Sequence, residues 1–184
     1  MTTATVYPIT GSYTLDPAHT RIGFVARHAM VTKVRGSFND FTGTANLGSH
    51  DPSTWSTEVT VQAASIDTRN EQRDAHLRSN DFLAMHEFPT ITFVSTNVEQ
   101  VDDAVYRVTG DLTIRGTTRP ITIDFSYEGA ATDPFGNGRI GFEGSVTISR
   151  KDFGITWNAP LEAGGVLVGD KVVLEFEVSA IRNA

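Results

Sequence analysis

Every second residue over positions 172–180 is Val172, Leu174, Phe176, Val178 and Ala180, and between them stand Val173, Glu175, Glu177 and Ser179. A period of two with one apolar face marks a β-strand that buries one side. The same period recurs at Ile121, Ile123, Phe125 and Tyr127, at Ile140, Phe142, Gly144, Val146 and Ile148, and at Tyr106, Val108, Gly110, Leu112 and Ile114. Many one-sided strands with aromatic inner faces must curl around something. That something is either a packed core or a bound apolar molecule.

The pattern extends toward the N-terminus. One strand is expected from Arg21 to His28, with Ile22, Phe24, Ala26 and His28 on one face. A second is expected over 34–47, bent at Gly36 and Gly43, with Val34, Gly36 and Phe38 in register. Further strands carry Val59, Val61 and Ala63, then Ile91 and Phe93. Turn chemistry at Asp102-Asp103, Arg115-Gly116 and Gly136-Asn137-Gly138 separates the later ones. About eight strands, mostly sequence-adjacent, predict an all-β fold: an eight-stranded antiparallel up-and-down barrel.

One stretch breaks the period. Residues 67–85 read as helical, with Thr68 as N-cap and Glu71 completing a capping box. Ser79 would cap a second short turn carrying Phe82 and Leu83, and Pro89 ends anything helical. A short helical insert around 68–85 between barrel strands is expected to plug or cover one end. Residues 1–11 read as a flexible arm, and 12–184 as one domain.

Composition removes several functions. The chain has 184 residues and 0 cysteines, so it has no disulfides, thiol catalysis or cysteine-held metal. A net charge of −7 argues against nucleic acid as a partner and against a polybasic attachment to anionic membranes. No run approaches the ~20 apolar residues of a membrane-spanning helix. The N-terminus Met1-Thr-Thr-Ala-Thr-Val-Tyr-Pro has neither a basic stretch nor an apolar core. It does not read as a secretory signal, so the expected location is cytoplasmic, or periplasmic or secreted if a leader preceded this chain.

Chemical motifs are few. Gly136-Asn137-Gly138-Arg139-Ile140-Gly141 fits G-x-G-x-x-G but has a β-alternating run after it, where a nucleotide site needs a helix. His19, His28, His76 and His86 lie near Asp16, Asp74 and Asp81 without metal-ligand spacing, so no metal is expected. Asp16-Pro17-Ala18-His19 reads as a turn whose carboxylate bonds backbone N–H groups. No G-x-S-x-G elbow is present. The aromatics, Trp55 and Trp157 among them, lack the interleaved Lys and Arg of a base-stacking platform. His28, placed inward, is either a satisfied core histidine or a polar contact for a ligand head group.

The inward aromatics Phe24, Phe38, Phe93, Tyr106, Phe125, Tyr127, Phe142 and Phe176 are the densest constellation. They could simply fill a core. The small inner residues Ala26, Gly36, Ala63, Gly110 and Gly144 are expected to leave space among them and tilt the balance toward a cavity.

Several phrases carry a family resemblance. Tyr13-Thr-Leu-Asp16-Pro-Ala-His19-Thr20, with Phe24 and His28, resembles the opening signature of the YceI-like proteins, as do Gly36-x-Phe38 and Gly43. Arg73-Asp74-x-His76-Leu77 to Asp81-Phe82, then Phe88-Pro89-x-Ile91-x-Phe93, resembles that family's middle motif. Gly110-Asp-Leu112-Thr-Ile114-Arg115-Gly116, Arg150-x-Asp152-Phe153-Gly154 and Val168-Gly169-Asp170-x-Val172 complete it.

The resemblance implies an extended, lipocalin-like barrel that binds a polyisoprenoid, quinone or fatty-chain lipid, with no cofactor and no catalytic constellation. It also implies a possible homodimer and, for many members, a periplasmic location. The expected ligand-contacting set is Ile22, Phe24, His28, Phe38, Phe93, Tyr106, Leu112, Phe125, Phe142, Val146, Arg150 and Phe176, with His28 and Arg150 toward the polar end. An enzyme acting on such a chain would need a paired acid and base inside, where only His28 is placed. A filled barrel acting through its surface is a third reading.

Overall fold

A computed structural model of the chain describes residues 9–162 and 164–183. In chain order its strands are β1 (Gly11–Leu15), β2 (Arg21–His28), β3 (Thr32–Phe38), β4 (Phe41–Leu47), β5 (Ser56–Gln62) and β6 (Ile66–Asp67). Helix α1 (Glu71–Arg78) follows, then β7 (Thr90–Asp102), β8 (Val105–Ile114), β9 (Thr117–Thr132), β10 (Gly138–Ser149) and β11 (Val168–Arg182).

The inner-face periods meet in register. Tyr106, Val108 and Gly110 of β8 stand opposite Phe125, Ile123 and Ile121 of β9, so the apolar faces of neighbouring strands coincide. Eight strands close a ring in the order β1-β4-β5-β7-β8-β9-β10-β11, sealed by β1 against β11. Every pairing is antiparallel, and a closed ring leaves no sheet edge in that layer. β1 and β2 lie end to end along β11: Leu15 pairs with Ala180, and Arg21 with Glu177. β3 and β6 extend from β2.

Three local expectations need correction. The strand over 34–47 is two strands, broken at Asn39 and Asp40. There the chain changes neighbours, from β2 and β6 to β1 and β5. The helix occupies only Glu71–Arg78, and its N-cap is Asn70, whose side chain accepts from the Arg73 N–H at 2.9 Å. Thr68 is instead buried, its N–H and hydroxyl both donating to Asp74. Of the arm over 1–11, positions 1–8 lie outside the described residues, and Gly11 already pairs with Leu47 in β1.

Ser79 does open a second turn, its carbonyl accepting from the Phe82 N–H at 3.0 Å, and Phe82 and Leu83 are buried. The segment after α1 and the chain from Arg150 to Val168 together cover one end of the barrel. The β9–β10 hairpin and the β1–β11 junction form the other. Asp133-Pro134-Phe135-Gly136-Asn137 is that hairpin's loop, so the glycine-rich run opens in a turn and continues as β10.

Candidate functional site: an apolar channel

The barrel encloses a cavity of ≈310 Å³ that runs from Leu83 and Ile155 at the covered end to Leu47 and Trp55 at the other. That volume lies in the range of small-molecule pockets. Its wall is aliphatic and aromatic almost throughout, drawn from strands all around the ring. Many wall residues, including Phe125, Phe142, Leu174 and Phe176, point inward yet are only half-buried, because part of their surface faces the lumen.

Ten of the twelve expected contact residues line this cavity: Ile22, Phe24, Phe38, Phe93, Tyr106, Leu112, Phe125, Phe142, Arg150 and Phe176. His28 and Val146 do not. His28 has the parity of Ile22, Phe24 and Ala26, but it pairs with Val168 beyond a register shift between β2 and β11, and its imidazole is exposed. Val146 has inward parity too. However, β9 and β10 pair only as far as Asp124 and Ser145, and beyond that point Val146 borders a separate hollow with Arg119, Asp152 and Lys171. The sequence reasoning passed over Trp55, Leu77, Leu83 and Ile155 as lining residues. Leu77 comes from α1 and Leu83 and Ile155 from the covering segments, where no strand period exists to mark a face.

The inner glycines are not empty space. A Cβ on Gly110 would sit 2.5 Å from the Phe93 ring, on Gly36 2.4 Å from the Phe24 ring, and on Gly144 2.8 Å from the Phe125 ring. Each glycine is a seat on which a neighbouring strand's ring lies flat against the wall, a pairing that also offsets the weak strand propensity of glycine. The space is in the channel's centre, left by rings that hug the wall. Ala26 does line the cavity, whereas Ala63 begins a 3₁₀ turn outside the strand pattern.

The covered end carries the main charge in the lining. Arg150 is 4% exposed. Its Nε–H donates to the Gly169 carbonyl at 2.9 Å, and Nη1 to those of Ile155 at 2.8 Å and Trp157 at 2.9 Å. Nη2 reaches the Val168 carbonyl at 3.2 Å. Burial pushes the guanidinium below its ordinary pKa, with Asp170 acting against that shift. It remains cationic at physiological pH, since arginine holds its proton. Four carbonyls accept from it, no carboxylate bonds it among the described residues, and Asp170 acts on it only through space.

Above Arg150 the cover is aromatic. His76 meets Phe82 and Trp157 edge-on at 5.0 and 4.7 Å, and Phe82 and Trp157 lie 5.3 Å apart. His76 Nε2 also pairs with Asp81 at 2.8 Å. Within the channel, Tyr106 packs on Trp55 at 5.0 Å, and burial raises its phenol pKa, keeping it neutral.

The opposite end is fastened by a chain of ion pairs. Arg139 bonds Asp16 at 2.6 Å and Asp133 at 2.8 Å, and Asp16 also holds His19 at 2.6 Å. The Asp16 turn is as read from sequence, with the Ala18 N–H donating to its carboxylate at 3.0 Å. Arg139 had no sequence signal, since its partner Asp16 is 123 positions away. Among the described residues no three metal-ligating groups converge, and none of the polar groups inside the channel forms an acid–base pair.

Comparison with known proteins gives concordant results. The model of the YceI-like domain matches residues 13–180. UPF0312 proteins of Staphylococcus aureus strains MSSA476 and MW2 are 39% identical over 170 residues, covering 92% of this chain and 95% of each relative. The YceI protein of Campylobacter jejuni superposes with a TM-score of 0.70 at 30% identity, over 86% of this chain and 90% of its own. Two more distant structures share the fold. BcnA of Burkholderia cenocepacia has a TM-score of 0.79 at 22% identity, covering 90% of this chain and 98% of that one. A polyisoprenoid binding domain of Saccharophagus degradans has a TM-score of 0.72 at 12% identity, covering 95% and 100%.

Proposed function

The chain belongs to the YceI-like family, and from that premise we propose that it is a non-catalytic carrier of a polyisoprenoid or a similar long-chain amphiphile. The observation that carries this reading is the continuous apolar channel, walled by strands all around the ring and closed by a cationic side chain at one end. A prenyl chain gains about 0.8 kcal/mol per buried CH₂, so a long chain needs few polar contacts. The polyisoprenoid binding domain of Saccharophagus degradans shares the barrel and supports the ligand class.

Arg150 gives the channel a direction. Its positive potential at the covered end favours a chain whose head group is anionic or a strong acceptor, with the tail running toward Trp55. Catalysis is not part of the reading, because the lining offers Arg150 and the neutral Tyr106 but no paired acid and base.

Native mass spectrometry on protein purified without detergent, followed by solvent extraction, tests the proposal. The expected result is a co-purifying lipid of defined mass that Phe142→Asp loses while remaining folded, since a carboxylate in this wall costs several kcal/mol of desolvation. A bare chain that takes up no added prenyl lipid, or a folded Phe142→Asp that retains it, overturns the reading.

A further inference from the structure

The hairpin joining β2 to β3 stands apart from the rest of the surface. Its tip is Ala29-Met30-Val31, and Met30 and Val31 are 60% and 75% exposed. Ala29 and Met30 adopt φ of 51° and 64°. Asn-Gly is what such a two-residue turn ordinarily selects, and apolar residues there cost stability. The tip is nonetheless held in place: the Ala29 N–H donates to the Leu167 carbonyl at 2.7 Å. The Met30 thioether lies over Gly165, beside the exposed Val166.

The stem behind this tip is basic. Between positions 17 and 39 the chain has Arg21, Arg27, Lys33 and Arg35 and neither Asp nor Glu, in a protein whose net charge is −7. Arg27 and Lys33 are direct cross-strand partners, both exposed. Like charges so placed repel, and neither takes part in an ion pair among the described residues. Arg35, further down, has Glu175 at 4.0 Å. Asp170 is occupied by the Ser149 hydroxyl and lies 3.9 Å from Lys171.

We infer that this hairpin is a docking tip for an anionic lipid surface. Met30 and Val31 enter the boundary between head groups and acyl chains, and Arg27 and Lys33 meet the phosphates. The overall negative charge does not oppose this, because surface attraction falls off within a Debye length and is decided locally. The placement gives the contact a purpose. Ile22, Phe24 and Ala26, on the inner face of the same β2, line the channel, as does Val168, the partner of His28. A docked tip therefore brings the covered end of the channel against the membrane. The other exposed apolar tip, Phe135 at 89%, follows Asp133 at the opposite end, where the nearby Arg139 is already paired with Asp133 and Asp16. The inference goes beyond chain binding, and its test uses vesicles free of prenyl lipid, so the two stand or fall separately.

Sedimentation of the full chain with phosphatidylglycerol–phosphatidylcholine vesicles, against phosphatidylcholine alone, reads it directly. The wild type should sediment with the anionic vesicles and be released by salt. Met30→Asp/Val31→Asp should stay in the supernatant. Arg27→Gln/Lys33→Gln, which relieves a repulsion and so keeps the fold, should bind about twenty-five-fold more weakly, at roughly five-fold per basic residue. Phe135→Asp should bind as wild type. A wild type that ignores anionic vesicles at low salt overturns the inference, as does an Arg27→Gln/Lys33→Gln variant with undiminished binding. Equal loss in Phe135→Asp does the same.

Discussion

The two ends of this barrel are closed by opposite physics. At the β1–β11 junction Arg139 is matched by two carboxylates, Asp16 and Asp133, each of which also accepts backbone N–H groups. At the covered end Arg150 is matched by carbonyls alone, beneath a cluster of edge-packed rings. The first arrangement neutralises its charge and has nothing left to offer a ligand. The second satisfies hydrogen bonds with carbonyls and has no carboxylate in contact, Asp170 acting only through space. Under the carrier reading, a joint needs only to hold, whereas an end that receives a head group needs a charge that no carboxylate contacts.

The sharpest way to break that comparison is to remove each guanidinium. Arg150→Met leaves the loop carbonyls of Ile155 and Trp157 without a donor in a buried place, and should cost about 3 kcal/mol or more. Arg139→Met should cost less, because Asp16 and Asp133 keep their backbone donors. Urea unfolding measures both. Equal losses would mean that the two ends are not energetically distinct. Under the carrier reading, Arg150→Met should also discriminate less between anionic and neutral amphiphiles, while Arg139→Met should not change that preference.

A variant in the wall, away from either end, sharpens the contrast. Gly110→Ala would press a methyl into the Phe93 ring, and Gly144→Ala one into the Phe125 ring. The added methyl would also lie 2.6 Å from the Val94 carbonyl at position 110 and 2.9 Å from the Asp124 carbonyl at position 144, so the neighbouring strand must shift along with the ring. Overpacking of this kind costs about 1–3 kcal/mol. The displaced ring enters the lumen, so uptake of a fluorescent prenyl analogue should fall more than stability does. Full uptake with a lowered melting temperature would show that the rings do not set the channel's bore.

The strands and the identity of most wall residues were legible because period two states which face a side chain takes. Phe24, Phe93, Phe125 and Phe176 needed nothing more. Parity does not say how far a wall extends, and this is why His28, correct in face, falls outside it, and Val146 borders a different hollow. Helix α1 and the covering segments obey no single period, so Leu77, Leu83 and Ile155 carried no mark. The inner glycines were visible, but whether a missing side chain leaves a void or a seat depends on the ring of the adjacent strand. That is a matter of register, which the linear pattern does not contain. Arg139 and Asp16 are separated by most of the chain, and only closure of the barrel joins them.

The smallest of these effects is the one that acid reveals. Arg139 holds the Asp16 carboxyl at about 2, with His19 assisting, and holds the Asp133 carboxyl at about 2, with Asn137 assisting, against an ordinary value of 3.8. A carboxylate whose pKa is lower in the folded state contributes stability that is fully present above its unfolded value. That contribution disappears as pH falls from about 4 toward about 2. Arg150 gains or loses no proton in this window, so acid should loosen the β1–β11 junction while leaving the guanidinium clamp at the covered end intact. Asp170, lowered by the Ser149 hydroxyl, adds a share near the covered end, so the whole acid response does not belong to one joint. Asp16→Asn separates the shares: it should lower stability at neutral pH, because it removes the charge that Arg139 and His19 bond. It should also flatten the fall of melting temperature between pH 4 and pH 2, an interval set by the ordinary and lowered values. A melting profile against pH that is as steep in Asp16→Asn as in the wild type would place the acid-sensitive joint elsewhere in the barrel.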